Sequence, residues 1–230
     1  MKTIGLLGGM SWQSTLDYYR QINQQVNSKL GGLHSAKICM VSVDFAGLES
    51  AMSRGDWDFC AKTLIDAGRS VERAGADCLL ICTNTLHKVA PLVEEAVDIP
   101  LLHIADGAGQ SLVQNNVEAV GLLGTRFTME EDFYSLRLAE KFGLQVYTPN
   151  SSDRAIVDTI IFKELCQGVV NMDSQAEYLR IMDDLKNQGA EAMLLGCTEI
   201  AMLVNEGHTD IPLFDTTTIH TTMAVEFSLA

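Results

Sequence analysis

The sequence predicts an α/β fold of two similar halves, each built as a doubly wound parallel sheet. Three observations carry this. GADCLLICTNT, from Gly75 to Thr85, nearly repeats as GAEAMLLGCTE, from Gly189 to Glu199, a shift of 189 − 75 = 114 residues. IGLLGGMS at Ile4 matches VGLLGTRF at Val120 with a shift of 116, and DIPLLH at Asp98 matches DIPLFD at Asp210 with a shift of 112. Short apolar runs alternate with amphipathic ones, the pattern of βα units that form parallel sheets covered by helices on both faces. A period this long marks a duplicated domain, since solenoid repeats run to about 20–50 residues.

The elements follow in order. Residues 2–7 form an apolar strand that leaves through Gly8-Gly9-Met10-Ser11. Residues 14–30 carry Leu16, Tyr19, Ile22 and Val26 at helical spacing and end at Gly31-Gly32. Residues 37–43 are a second strand, 56–74 a helix closed by Gly75, 78–82 a third strand, 86–96 a short helix and 100–104 a fourth strand. The second half repeats the scheme. Strands are expected at 119–123, 145–147, 192–195 and 213–214, and helices at 130–141, within 155–168, at 174–189, at 200–204 and at the end. The repeat assigns residues 1–105 plus 210–230 to one domain and 106–209 to the other.

Composition narrows the partners. A net charge of −14 argues against nucleic acid, because phosphate contacts need basic patches. No run approaches the roughly 18 apolar residues of a membrane span, and the N-terminus does not read as a signal peptide. The six cysteines lack CxxC-type metal spacing. In a cytoplasmic protein they should be reduced and mostly buried.

Ligands of parallel sheets bind beyond the carboxyl ends of the strands, so the loops at Gly8–Ser11, Thr83–Thr85, Gly124–Thr128 and Cys197–Glu199 are expected to converge on a cleft between the halves. The 114-residue shift sets Thr83 over Cys197. Cys197 ends a buried strand just before a helix, where the helix field is expected to lower the thiol pKa and favour thiolate, a competent base. Thr83 carries a far weaker acid. Cys82 is a rival one residue away, but strand alternation turns it to the other face. Asn84, Thr85 and Thr198 offer amide and hydroxyl groups for a carboxylate or an ammonium. Backbone N–H groups around Met10, Ser11 and Thr125 suit an anion. His87 and Glu199 are candidates to tune the reacting pair. Arg54, Lys88, Arg126 and Lys163 are candidates for an acidic side chain, with Met52 expected near Arg54.

At these residues the chain resembles the aspartate/glutamate racemase family, above all its broad-specificity and L-aspartate/glutamate-specific bacterial branch. The resemblance is carried by GLLGGMSWQST (5–15), CTNTLHK (82–88), LLGTRFTMEEDFY (122–134) and GCTEI (196–200). It implies two domains related by a pseudo-twofold, a cleft between them, neither pyridoxal phosphate nor metal, and a homodimer. It also implies two acid/base groups facing opposite sides of the substrate Cα, usually both cysteines. Cys197 fits that pattern and Thr83 departs from it. The expected function is cofactor-independent racemisation of aspartate, glutamate or a wider set of amino acids. The alternatives are a single-thiol decarboxylase or isomerase of the same fold, and a two-lobed amino-acid-binding protein without catalysis. A dinucleotide dehydrogenase is disfavoured, since Gly5-x-x-Gly8-Gly9 is not GxGxxG.

Overall fold

The computed structural model describes residues 1–230. The chain runs β1 (Ile4–Gly8), α1 (Trp12–Leu30), β2 (Ile38–Ser42), α2 (Phe45–Ser53), α3 (Trp57–Arg73), β3 (Cys78–Ile81) and, after a 3₁₀ turn at Thr85–Val89, α4 (Ala90–Glu94). It continues through α5 (Ile104–Gln114), β4 (Ala119–Gly124), α6 (Arg126–Glu130), α7 (Asp132–Phe142), β5 (Gln145–Tyr147) and α8 (Ser151–Lys163). A 3₁₀ turn at Leu165–Gln167, α9 (Met172–Asn187), β6 (Ala192–Gly196), α10 (Ile200–Leu203), β7 (Leu213–Asp215) and α11 (Thr216–Leu229) complete it. The chain divides into two compact units, Met1–Ile104 with His220–Ala230, and Ala105–Ile219.

The first unit holds a parallel sheet in the order β2-β1-β3. Its central strand β1 is buried at every position, whereas the edge strand β2 is only partly covered. The second unit holds a parallel sheet in the order β5-β4-β6-β7, again with fully buried inner strands, β4 and β6. Near-continuous apolar strands are what a parallel sheet covered on both faces requires. One face of the first sheet packs Ile4, Leu6, Cys78, Leu80 and Cys82 against Tyr18, Ile22 and Val26 of α1 and Ala224 and Val225 of α11. In the second unit Leu123, Met193 and Leu195 pack with Val157, Ile161, Tyr178, Ile181 and Leu185.

Four expectations are corrected. Residues 100–104 do not form a strand. Leu101 makes a single bridge to Leu79 before the chain turns into α5 at Ile104. Segment 210–219 belongs with the second unit instead of the first, because β7 pairs with β6 from Met193↔Leu213 to Leu195↔Asp215. The buried stripe of α1 is Thr15, Tyr18, Ile22 and Val26. Leu16 and Tyr19 are exposed, and with Trp12, Thr15, Met40 and Ser42 they line an open groove of about 320 Å³. Finally, α2 and α5 are helices that the apolar pattern left unassigned. In α5, IADGAGQ reads as a loop, yet a Cβ on Gly109 would meet the Phe142 ring, so the glycine is there to let α5 pack closely. No helix is long and apolar enough to cross a membrane.

Candidate active site

In the first unit, β1 leaves through a tight turn. Ser11 caps α1, accepting from the Ser14 N–H at 3.4 Å, and Thr15 Oγ1 donates to the Ser11 carbonyl at 2.9 Å. The Gly9 N–H donates to Thr15 Oγ1 at 2.8 Å, so the loop and the first helical turn hold one another. Met10 and Ser11 are buried. At the end of β3, Thr83 is half-buried and Asn84 and Thr85 are buried. The Thr83 N–H donates back to the Ile81 carbonyl at 2.8 Å, turning the strand sharply into the 3₁₀ turn.

Behind Thr83 lies a group of buried rings, in which His87, a candidate from the sequence, is joined by His103 and His220, which the sequence did not point to. His87 Nδ1 is 2.7 Å from the Thr83 carbonyl, and the Ile104 N–H donates to His87 Nε2 at 3.2 Å. The ring centroids of His103 and His220 lie 4.5 Å and 5.9 Å from that of His87. His220 Nε2 donates to the Leu102 carbonyl at 2.6 Å, and its Nδ1 accepts from the Tyr18 hydroxyl at 2.8 Å. Burial holds the His220 pKa down at about 4, so the ring is neutral. His103 closes the DIPLLH block, and that repeat was the available signal.

In the second unit, Thr125 plays the capping part that Ser11 plays in the first, accepting from the Thr128 N–H at 3.4 Å at the start of α6. Cys197 and Glu199 are buried, and the Cys197 thiol donates to Glu199 Oε2 at 3.1 Å. The Thr198 hydroxyl donates to the same oxygen at 2.7 Å. Glu199 is thus a direct partner of the thiol.

The expected low thiol pKa is overturned. Burial pushes the Cys197 thiol well above its ordinary value, and the Glu199 carboxylate and neighbouring Cys166 push it further the same way. The Glu199 N–H at the start of the short helix that follows, Ile200–Leu203, acts the other way but is outweighed. The group is therefore a thiol with a carboxylate ready to accept its hydrogen. Cys82 lies in the core of the first unit, where burial drives its pKa up.

The candidate cations have the following local contacts. Arg54 ends α2 exposed and donates to Ser50 Oγ, while Met52, two residues earlier, is buried on the opposite side of that helix. Lys88 lies 3.8 Å over the Trp57 ring. The Arg126 guanidinium sits 5.7 Å from the Phe127 ring, and Lys163 is exposed at the end of α8. No group of three or more His, Cys, Asp or Glu side chains is arranged to hold a metal ion.

Two corresponding strand ends, each opening into buried polar residues and one bearing a thiol on a carboxylate, match a known sequence pattern. The pattern of the Asp/Glu/hydantoin racemases spans residues 7–224 of the chain. The chain belongs to the Asp/Glu/hydantoin racemase family. It is 48% identical over the whole of both chains to a Yersinia pestis protein of known structure provisionally named an Asp/Glu racemase, with a TM-score of 0.93. An aspartate racemase homologue from Pyrococcus horikoshii is 32% identical, again over the whole of both chains, with a TM-score of 0.86. The broad-specificity amino-acid racemase RacX of Bacillus subtilis is 22% identical over 92% of each chain. Membership makes this chain an isomerase, an amino-acid racemase.

Proposed function

We propose that this racemase inverts the Cα of an acidic amino acid, aspartate or glutamate first and a wider set second, with Cys197 and Thr83 acting on opposite faces. The hydrogen bond from the Cys197 thiol to Glu199 is the observation that carries the reading. A buried thiol of raised pKa is a poor base alone. Glu199 can take its proton as the substrate ammonium arrives, since a nearby cation favours thiolate. The thiolate then removes the Cα proton of the L-enantiomer. Asn84, Thr85, Thr198 and the backbone N–H groups near Met10, Ser11 and Thr125 stabilise the enolate-like carboxylate, because preorganised donors act where charge develops. The Thr83 hydroxyl delivers a proton on the other face and regains one from water, and the proton held by Glu199 neutralises the hydroxide left behind, which restores the starting state. A hydroxyl is too weak an acid to persist as alkoxide, so it relays the proton without storing it.

Substrate enantiomers have equal free energy, so kcat/KM is equal in the two directions whatever Thr83 does. Only kcat and KM separately can differ. Arg54 and Lys163 remain the proposed cations for the substrate side chain, and Met52 a proposed apolar contact for it. We further propose that the enzyme works without pyridoxal phosphate or metal, as a cytoplasmic homodimer. Its six free cysteines agree with a reducing compartment.

Loss of the Cα–H signal of L-aspartate and L-glutamate in D₂O, followed together with optical rotation, tests the assignment. Cys197→Ala is expected to slow both by about 100- to 10,000-fold, the usual worth of a positioned acid/base group. Wild-type exchange of the L-substrate in that variant would assign the base elsewhere.

A further inference from the structure

We infer that His87 is the positioning residue for Thr83, acting through the Thr83 backbone, and that it serves the Thr83 face of the site and not the Cys197 face. The inference rests on the two-faced racemase reading above. Its physical basis is a tautomer fixed by the fold. The Ile104 N–H points at His87 Nε2, so that nitrogen accepts and carries no hydrogen. The hydrogen must then sit on Nδ1, which donates to the Thr83 carbonyl at 2.7 Å. His87 is 1% exposed, and the edge of His103, 4.5 Å away between centroids, limits how its ring can turn. With its N–H on the Ile81 carbonyl at 2.8 Å, Thr83 has both ends of its backbone tied. Its hydroxyl is thereby aimed by the main chain, with no contact from an acid or base to its side chain needed.

The duplication shows that this is a local device. The 114-residue shift that sets Thr83 on Cys197 sets Thr85 on Glu199 and His87 on Ala201, an exposed alanine. The second unit therefore has no imidazole behind its reacting residue. It has instead the carboxylate of Glu199 on the thiol itself. One copy supports the reactive atom directly, and the other fixes the backbone that carries it. This suits the chemistry of each. A thiol must lose and regain its proton, so it needs an acceptor. A relaying hydroxyl needs only a fixed direction.

The test separates the two faces. An L-substrate in D₂O exchanges its Cα–H by return from Cys197, with retention, or by delivery through Thr83, with inversion. The ratio of exchange to inversion, read by NMR and polarimetry, should rise by about three- to tenfold in His87→Ala, the range one lost hydrogen bond is worth. His87→Asn places an amide N–H where Nδ1–H was and should return the ratio to near wild type. His87→Gln carries the donor one bond too far and should behave as the alanine variant, which keeps the test available should His87→Ala fail to fold. A purely structural role would lower exchange and inversion together and leave the ratio unchanged in all the variants, and that result overturns the inference. Absence of both exchange and inversion in the wild-type enzyme would instead sink the racemase reading.

Discussion

At the scale of single residues, the two copies differ in a way one hydrogen bond makes measurable. Cys197 lies under a carboxylate that raises its pKa after burial has already done so. Replacing Glu199 with Gln removes a negative charge, so the thiol should titrate at lower pH. Alkylation of the Cys197 peptide by iodoacetamide, followed by mass spectrometry against pH, should show its midpoint moving down. Turnover should nevertheless fall on the order of a hundredfold, because the proton acceptor has gone. An unmoved midpoint would mean that Glu199 does not govern the thiol. The sequence made Thr83, Cys197 and their polar neighbours legible because the two copies can be aligned letter by letter. It misled on the thiol pKa. Strand and helix can be read from a pattern, whereas burial and a carboxylate two residues away must be weighed in three dimensions.

At the scale of elements, the turn after β1 decides whether the candidate anion-binding N–H groups are in place. Gly9 has φ of +92°, and a Cβ there would run into the Val43 main chain, with the Val43 nitrogen at 2.6 Å. Val43 cannot retreat without giving up its N–H bond to the Gly8 carbonyl at 3.0 Å. Gly9→Ala should therefore cost about 2–3 kcal/mol and weaken substrate binding, combining left-handed strain with a backbone collision. Gly143 is a control, since it too has positive φ, at +70°, in the left-handed region, but nothing lies within 4 Å of its would-be Cβ. Gly143→Ala should cost about 1–2 kcal/mol and leave KM alone. Urea midpoints and KM for both variants decide the matter, and equal losses would refute the collision. Most strands and helices were readable because buried parallel strands are continuous apolar runs. The fourth strand of the first half failed as a prediction because apolar residues at 101–102 suffice for one bridge and no more. Helix α5 was missed because glycine, needed for close packing, imitates a loop.

At the scale of the whole chain, the duplication accounts for the architecture of each unit but not for how each is closed. Tyr134 is Tyr18 displaced by 134 − 18 = 116 residues, the shift of the Ile4 and Val120 blocks. The Tyr18 hydroxyl donates to His220, whereas the Tyr134 hydroxyl is buried without a hydrogen-bond partner. The shift of the DIPLLH block explains this, since 220 − 112 = 108 and residue 108 is Ala. In the first unit the tyrosine is fastened by an imidazole, which ties α1 to α11 and, through the Leu102 carbonyl, to the segment following the bridge to β3. That fastening has a pH signature. The pKa of His220 is about 4 in the folded chain, below the 6.5 of an unconstrained histidine, because burial penalises the charged ring. The unfolded chain therefore binds a proton first as pH falls. The stabilisation is complete above about pH 6.5 and drains away down to about 4, at about 1.4 kcal/mol per pH unit. In His220→Leu the tyrosine loses its acceptor, so the variant should be less stable than wild type by about 1–3 kcal/mol at pH 7. It cannot take up the proton, however, so the gap should narrow by about 2 kcal/mol between pH 6.5 and pH 5. Urea midpoints at those two values read this directly, and a gap that stays constant would show that His220 is not the group whose protonation loosens the first unit.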